Sequence, residues 1–268
     1  SSVPSFATTL WRITSKKSQE VMVLLILIQT EFGELRRKKL ICVMLLVALI
    51  MPFFAYLYFS YLGQTNVDPM AFYKWSAFGI TLFILLPFVL GTLCITLIHD
   101  ENQYDMLKQL WIIPVSKMGY FFSKFVVVLL YSIVFMLITA VASVLSGTLS
   151  GIVALDLQSI LFLFQMCLVI AVLSALAILP IMAIAVTQKG YVLPVCMTLV
   201  YIFLGFFITT INMYMHPISS ISAVIASSGK IPGLTFTQEI NAFWMMLCIF
   251  CWDAFSVLLA YFSLSRRK

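Results

Sequence analysis

His99 to Lys124 reads HDENQYDMLKQLWIIPVSKMGYFFSK, a short polar interruption between two long apolar runs. It opens with charge at His99, Asp100 and Glu101. Met106, Leu107, Leu110 and Trp111 then recur at spacings of three and four, which places them on one face of a short helix. Asp105, Lys108 and Gln109 fall on the other side. Pro114 ends the helix, because a proline there removes a backbone donor and clashes with the preceding turn. Ser116 and Lys117 restart the chain into the next apolar run. A small amphipathic helix held at a membrane face by two spans is a handle. A soluble partner can grip its polar side and move the spans.

The class follows from composition. Of 268 residues, 63% are hydrophobic and 10% charged, with a mean hydropathy of +1.10. Several runs lack charge over about the 20 residues needed to cross a hydrocarbon layer. Neither strict alternation nor frequent turn signals interrupt them, which argues against a β-barrel. The sequence therefore predicts an all-α membrane protein with six transmembrane helices. The expected spans are 40–62, 75–98, 119–145, 160–186, 191–211 and 242–264, in a single transmembrane domain over 22–268.

Residues 1–21 are polar and lack the later character. They are read as a cloning scar or a disordered tail and set apart from the fold. From Met22 to Lys39 the chain predicts an amphipathic helix. Leu24, Leu25, Ile28 and Phe32 supply its apolar face and Glu31, Glu34 and Arg36–Lys39 its polar end. It is too short and too charged to span, so it is expected to lie in the interface plane.

Orientation follows from the basic residues. With six spans and a cytoplasmic N-terminus, fourteen of the sixteen Lys and Arg fall inside and only Lys74 and Lys230 outside. That asymmetry is what the positive-inside rule demands. Both termini and the amphipathic insert are then cytoplasmic. The net charge of +6 sits at span ends and sets topology, so it implies no nucleic acid.

Catalytic constellations are missing from the sequence. His99 and His216 are expected on opposite sides of the membrane and cannot share a metal. The six cysteines fall inside apolar runs and read as small hydrophobes, the Cys248-x-x-Cys251 pair included. Ser228-Gly229-Lys230 lacks the earlier glycine and the following hydroxyl of a phosphate loop. ATP must therefore be used by another subunit.

Intramembrane polar residues mark the remaining candidates. Asp253 stands inside the sixth span, where an ionisable group is costly and faces a bundle interior or a cavity. It is assigned to gating or substrate contact, or alternatively to a hydrogen-bonded structural role. Gln165 in the fourth span is a further candidate contact, and reads more simply as a helix–helix hydrogen bond. Gly147 and Gly151 form a G-x-x-x-G that permits close helix approach. Pro180 and Pro194 are expected to kink the fourth and fifth spans. Ile218 to Ile225 is read as a helical piece that either re-enters the membrane or caps it.

Taken together, the N-terminal amphipathic helix, the basic quartet, the six spans and the insert resemble the permease of a type-2 ABC exporter. That family often shows a Glu, a Pro thirteen residues on, a small hydroxyl and a base, and a Lys about ten after the Pro. Glu101, Pro114, Ser116, Lys117 and Lys124 occupy those places. Asp105-Met106 stands where the family commonly has Gly-Thr, and Lys108 and Trp111 also differ. These departures resemble the small bacterial branch that protects cells against lantibiotics and bacitracin. The resemblance implies that the insert is the coupling helix between spans 2 and 3. Glu101, Asp105 and Lys108 would make polar contacts to a cytoplasmic ATPase subunit, present in two copies. Leu107, Leu110 and Trp111 would seat the helix, with Pro114 and Lys117 at its end. ATP and Mg would be bound by that partner, and this chain would carry no cofactor and be no enzyme itself. A second permease copy or a paralogue would complete the assembly in a bacterial cell membrane. The cargo would be a hydrophobic or amphipathic peptide antibiotic. Two alternatives stay open: the same machine with another cargo (a drug, a toxin peptide, a lipid-linked glycan), and an ATPase-independent carrier or channel.

Overall fold

The computed structural model describes residues 28–30, 33, 39–63, 67–103, 117–188, 190–228 and 241–266. Six helices among them are long and apolar enough to cross a membrane, so the chain is an all-α, multi-pass membrane protein. They are α1 (Lys39–Tyr61), α2 (Pro69–His99), α3 (Lys117–Leu149), α4 (Leu157–Thr187), α5 (Val192–Ile211) and α7 (Ala242–Arg266). A shorter helix, α6 (Pro217–Ser228), lies between the last two. Of the expected N-terminal amphipathic helix, residues 28–30 and 33 are described, and they are helical.

Proline decides where the spans bend. Pro52 cannot donate to the carbonyl four residues back, on Ala48. The backbone tightens there into a 3₁₀ turn over Val47–Leu49, and the Thr139 hydroxyl of α3 donates to the freed Ala48 carbonyl (3.3 Å). Such capture from a neighbouring helix is how a membrane bundle tolerates a broken ladder. Pro180 breaks α4 in the same way, into Leu157–Ala177 and Leu179–Thr187. Near that break the Tyr201 hydroxyl of α5 donates to the Ala177 carbonyl (2.6 Å). Pro194 does not kink α5 as expected. It lies in the first turn of Val192–Ile211, where its missing N–H has no intrahelical partner to lose.

α2 begins ahead of the expected Trp75. Asp68 caps it, its carboxylate accepting the Ala71 N–H (3.1 Å), and Pro69 opens the first turn. Lys74, read as a loop residue, is therefore helical. The start of α2 then widens into two π-helical stretches, Lys74–Phe78 and Thr81–Leu85, before a regular helix resumes over Leu86–Gln103. Asp156 caps α4, accepting from the Gln158 and Ser159 N–H groups. The Ser159 hydroxyl also donates to it and holds this carboxyl below the usual range.

Contacts at the two ends of the bundle fix which termini lie together. The Lys117 ammonium at the start of α3 donates to the Leu264 carbonyl at the end of α7 (2.8 Å). The His99 ring, at the end of α2, meets Tyr191 just before α5 at 5.5 Å. This is the basic face. At the opposite face, the Val67 N–H before α2 donates to the Ile152 carbonyl after α3 (2.9 Å). The two glycines of the G-x-x-x-G do different things there. A Cβ on Gly147 would stand 2.9 Å from the Phe72 ring, so that glycine admits α2. Gly151 instead ends the turn after α3 at φ 69°.

The buried core runs through α2, α3 and α4, with Phe72, Leu86, Leu93, Phe121, Phe135, Leu163 and Ile170 enclosed. α1, α5 and α7 keep broad exposed apolar faces, among them Phe53, Phe54, Phe203, Phe207, Phe250 and Phe262.

Candidate functional site

Beyond α5 the chain does not leave the bundle. It turns at Asn212 and comes back, and α6 is buried on nearly every side from Pro217 to Ile225. The depth it reaches follows from its neighbours. His216 packs on Tyr201, halfway along α5, with ring centroids 4.3 Å apart. The Trp252 indole N–H, halfway along α7, donates to the Met215 carbonyl (3.2 Å). Ile218 and Ile221 line a small void with Leu82 and Pro87 of α2 and Ser174, Ala177 and Ile178 of α4. Residues 212–228 are thus a re-entrant hairpin reaching mid-depth, which settles the choice left open for Ile218–Ile225. Gly205 permits the approach. A Cβ there would lie 2.9 Å from His216 Nδ1 and 2.9 Å from Ile218 Cβ.

The serines that made this segment read as a loop explain how it can be buried. Ser219 and Ser220 hydroxyls donate to the Met213 carbonyl (3.2 and 3.0 Å), and Ser219 also to the His216 carbonyl (2.7 Å). Ser222 donates to the Ser219 carbonyl (2.7 Å). Each hydroxyl is satisfied within the hairpin, so no polar group meets hydrocarbon unpaired. Small side chains also let neighbouring backbones come close.

Two side chains around Tyr201 are treated differently. His216 is 4% exposed. Its Nδ1 accepts the Ile218 N–H (3.3 Å), capping α6. A nitrogen that accepts carries no proton, so the neutral ring bears its hydrogen on Nε2. Burial pushes the imidazole pKa down to about 4, so it is neutral at pH 7. Nε2 has no partner among the described residues, and neither does the buried Asp253 Oδ1. The Asp253 carboxylate is close enough to Tyr201 to act on it electrostatically. Asp253 and His216 therefore share one neighbourhood, bracketed by Tyr201 and Trp252. The sequence reading had separated them, treating His216 only as a failed metal ligand.

Other expected positions fall elsewhere. Gln165 makes no helix–helix hydrogen bond here. It lies on an exposed face of α4, because the helical register that buries Leu163 and Cys167 turns it away from the core. Cys248 is buried and Cys251 exposed. Glu101 belongs to the helix that runs to Gln103, with its side chain outside the described part. Asp105, Leu107, Lys108, Leu110, Trp111 and Pro114 lie outside the described residues. Lys117 points into the bundle edge, on Leu264. Lys124 is 1% exposed, with its ammonium 5.4 Å from the Tyr120 ring.

A second feature is apolar. A cleft of about 450 Å³ opens between α1 and the π-helical part of α2, lined by Ile50, Met51, Phe54, Tyr58, Trp75 and Leu85. Tyr58 and Trp75 stack at its mouth, 5.7 Å apart. The widened turns of α2 push Trp75 and Leu85 outward, and such insertions are frequent at functional positions.

The family described as ABC-2 family transporter protein matches residues 27–205. The chain belongs to the ABC-2 transporter family. It is the membrane subunit of an ABC transporter, and membership implies a partner ATPase subunit and a surrounding bilayer. The match covers α1 to α4 and most of α5 and stops short of the hairpin. No curated protein matches the chain.

Proposed function

We propose that this ABC-2 permease exports a hydrophobic or amphipathic peptide antibiotic, of the lantibiotic or bacitracin kind, across a bacterial cell membrane. In this reading the basic face is cytoplasmic and both termini lie there. Two ATPase copies bind ATP and Mg and hold the segment around Glu101, Asp105, Leu107, Lys108, Leu110, Trp111 and Pro114. A second permease copy or a paralogue completes the pore. Closure of the ATPase pair shifts α2 and α3, a population shift between membrane states.

One observation carries the reading. The helix that follows the coupling segment starts with Lys117 bonded to the end of α7, and Trp252 of α7 bonds the re-entrant hairpin. A push at the basic face therefore has a bonded route to a polar pocket at mid-depth. A second reading, export of a lipid-linked cargo by the same machine, draws on the apolar cleft beside α1.

Co-purification tests the motor side. Glu101→Ala and Leu110→Ala should each lose the co-expressed ATPase while the permease still folds; recovery at wild-type levels refutes the coupling assignment. Cells expressing both subunits should tolerate lantibiotics or bacitracin better. No change across such a panel moves the cargo to the lipid-linked class.

A further inference from the structure

We propose that His216 Nε2 and Asp253 Oδ1 form one deep docking point for a single neutral cargo group that accepts from the first and donates to the second, an amide or a hydroxyl. This rests on the export reading above and names the chemistry that the pocket takes.

Contrast within the hairpin supports it. Four polar groups in a row, on residues 216 and 219–222, are buried, and the serine hydroxyls all close local bonds. A segment built so economically leaves the imidazole N–H open, four per cent exposed. Asp253, on a different helix and beside the same Tyr201 ring, leaves an acceptor open. The other orphaned buried atoms among the described residues are lone hydroxyls on Tyr73, Thr81 and Ser143. Only the histidine and the aspartate are ionisable, and they come as a donor and an acceptor in one neighbourhood. Unmet buried groups lower stability, and sites that bind something are where folds keep them.

Charge selects the class. A cation would suit Asp253 but would meet the Nε2–H and the positive end of α6, whose first turn begins at Pro217. An anion would meet Asp253. Tyr201 is already committed to the Ala177 carbonyl and Trp252 to the Met215 carbonyl, so neither competes for the guest. A peptide backbone amide, with its N–H and C=O, answers both open atoms at once.

The test uses the purified full chain in lipid nanodiscs, with fluorescein-labelled bacitracin as the probe in an anisotropy titration. Four variants separate the possibilities: His216→Leu, His216→Gln, Asp253→Leu and Asp253→Asn. Gln keeps a donor and Asn keeps an acceptor without charge. Both Leu variants should bind about tenfold more weakly, the worth of one hydrogen bond. The Gln and Asn variants should stay within about threefold of wild type. Leu variants should also melt at or above the wild-type temperature, since an unmet buried group is removed. Loss in Asp253→Asn as large as in Asp253→Leu would mean a charge-reading site and overturn the proposal. Leu variants that bind normally, or that melt well below wild type, would overturn it while leaving export intact. A wild-type chain that binds no bacitracin would overturn both this docking point and the peptide cargo.

Discussion

Gly205→Ala is the sharpest probe of the hairpin. The added methyl carbon would sit 2.9 Å from His216 Nδ1, 2.9 Å from Ile218 Cβ and 3.0 Å from His216 Cε1. Ile218 Cβ is fixed to the α6 backbone and cannot rotate away. His216 is held by its bond to the Ile218 N–H and by the Tyr201 ring. Relief therefore requires α6 to move as a body. Overpacking of this kind costs about 2–3 kcal/mol. Alanine's better helix propensity offsets about 1 kcal/mol. The net expectation is a loss of about 1–2 kcal/mol, a drop of several degrees in melting temperature for a chain of this size, roughly 2–4 °C per kcal/mol. Gly190→Ala is the control, because nothing lies within 4 Å of its added carbon; it should stay within about 0.5 kcal/mol of wild type. Thermal unfolding of purified protein measures both. A Gly205→Ala protein that melts at or above wild type would show that α6 does not press on α5, and the mid-depth hairpin would fall with it.

Acid should weaken the fold through His216. Its folded pKa, pushed down to about 4 by burial, lies below the free-imidazole value. The unfolded chain then binds the proton first, and stability falls as pH drops from about 6.5 toward 4, by about 3 kcal/mol across that window. Unfolding curves at pH 7.5 and 4.5 should differ by most of that in wild type and by clearly less in His216→Leu; equal pH dependence in both would refute the assignment. Lys117→Met keeps the stem and removes the donor to Leu264. Amide exchange in the last turn of α7 should speed up several-fold, and unchanged exchange there would mean the contact holds nothing.

Much of the architecture was readable because bilayer thickness is a length ruler and charge marks its ends. Six runs of the right length, with basic residues crowded on alternate connections, leave little freedom in the number of spans. The misreadings have local causes. Lys74 looked like a loop because a charge near a span end usually is one, but Asp68 and Pro69 supply a helix start six residues earlier. Pro194 looked like a kink because its place within the helix depends on where α5 begins. Gln165 could be placed on a helix but not on a face, since α4 is apolar all round and its periodicity points nowhere. The hairpin was half visible. Serine, histidine and proline argue for a loop by composition, and only the three-dimensional partners show that each serine hydroxyl is used at home. The nearness of His216 and Asp253 could not be read at all. It arises because the chain doubles back after α5, and no spacing in the sequence records that.

The severed ladder at Pro180 has one more consequence. The first half of α4 packs with α3, and its second half with α7, the helix that Lys117 grips. Nothing covalent beyond a single residue, Ile178, stiffens the junction between these two halves, and a lone phenol from Tyr201 fastens the Ala177 carbonyl beside it. Such an elbow lets one rod swing while the other stands. The phenol that pins it is the same ring against which His216 rests, so whatever settles on that ring is also felt at the joint.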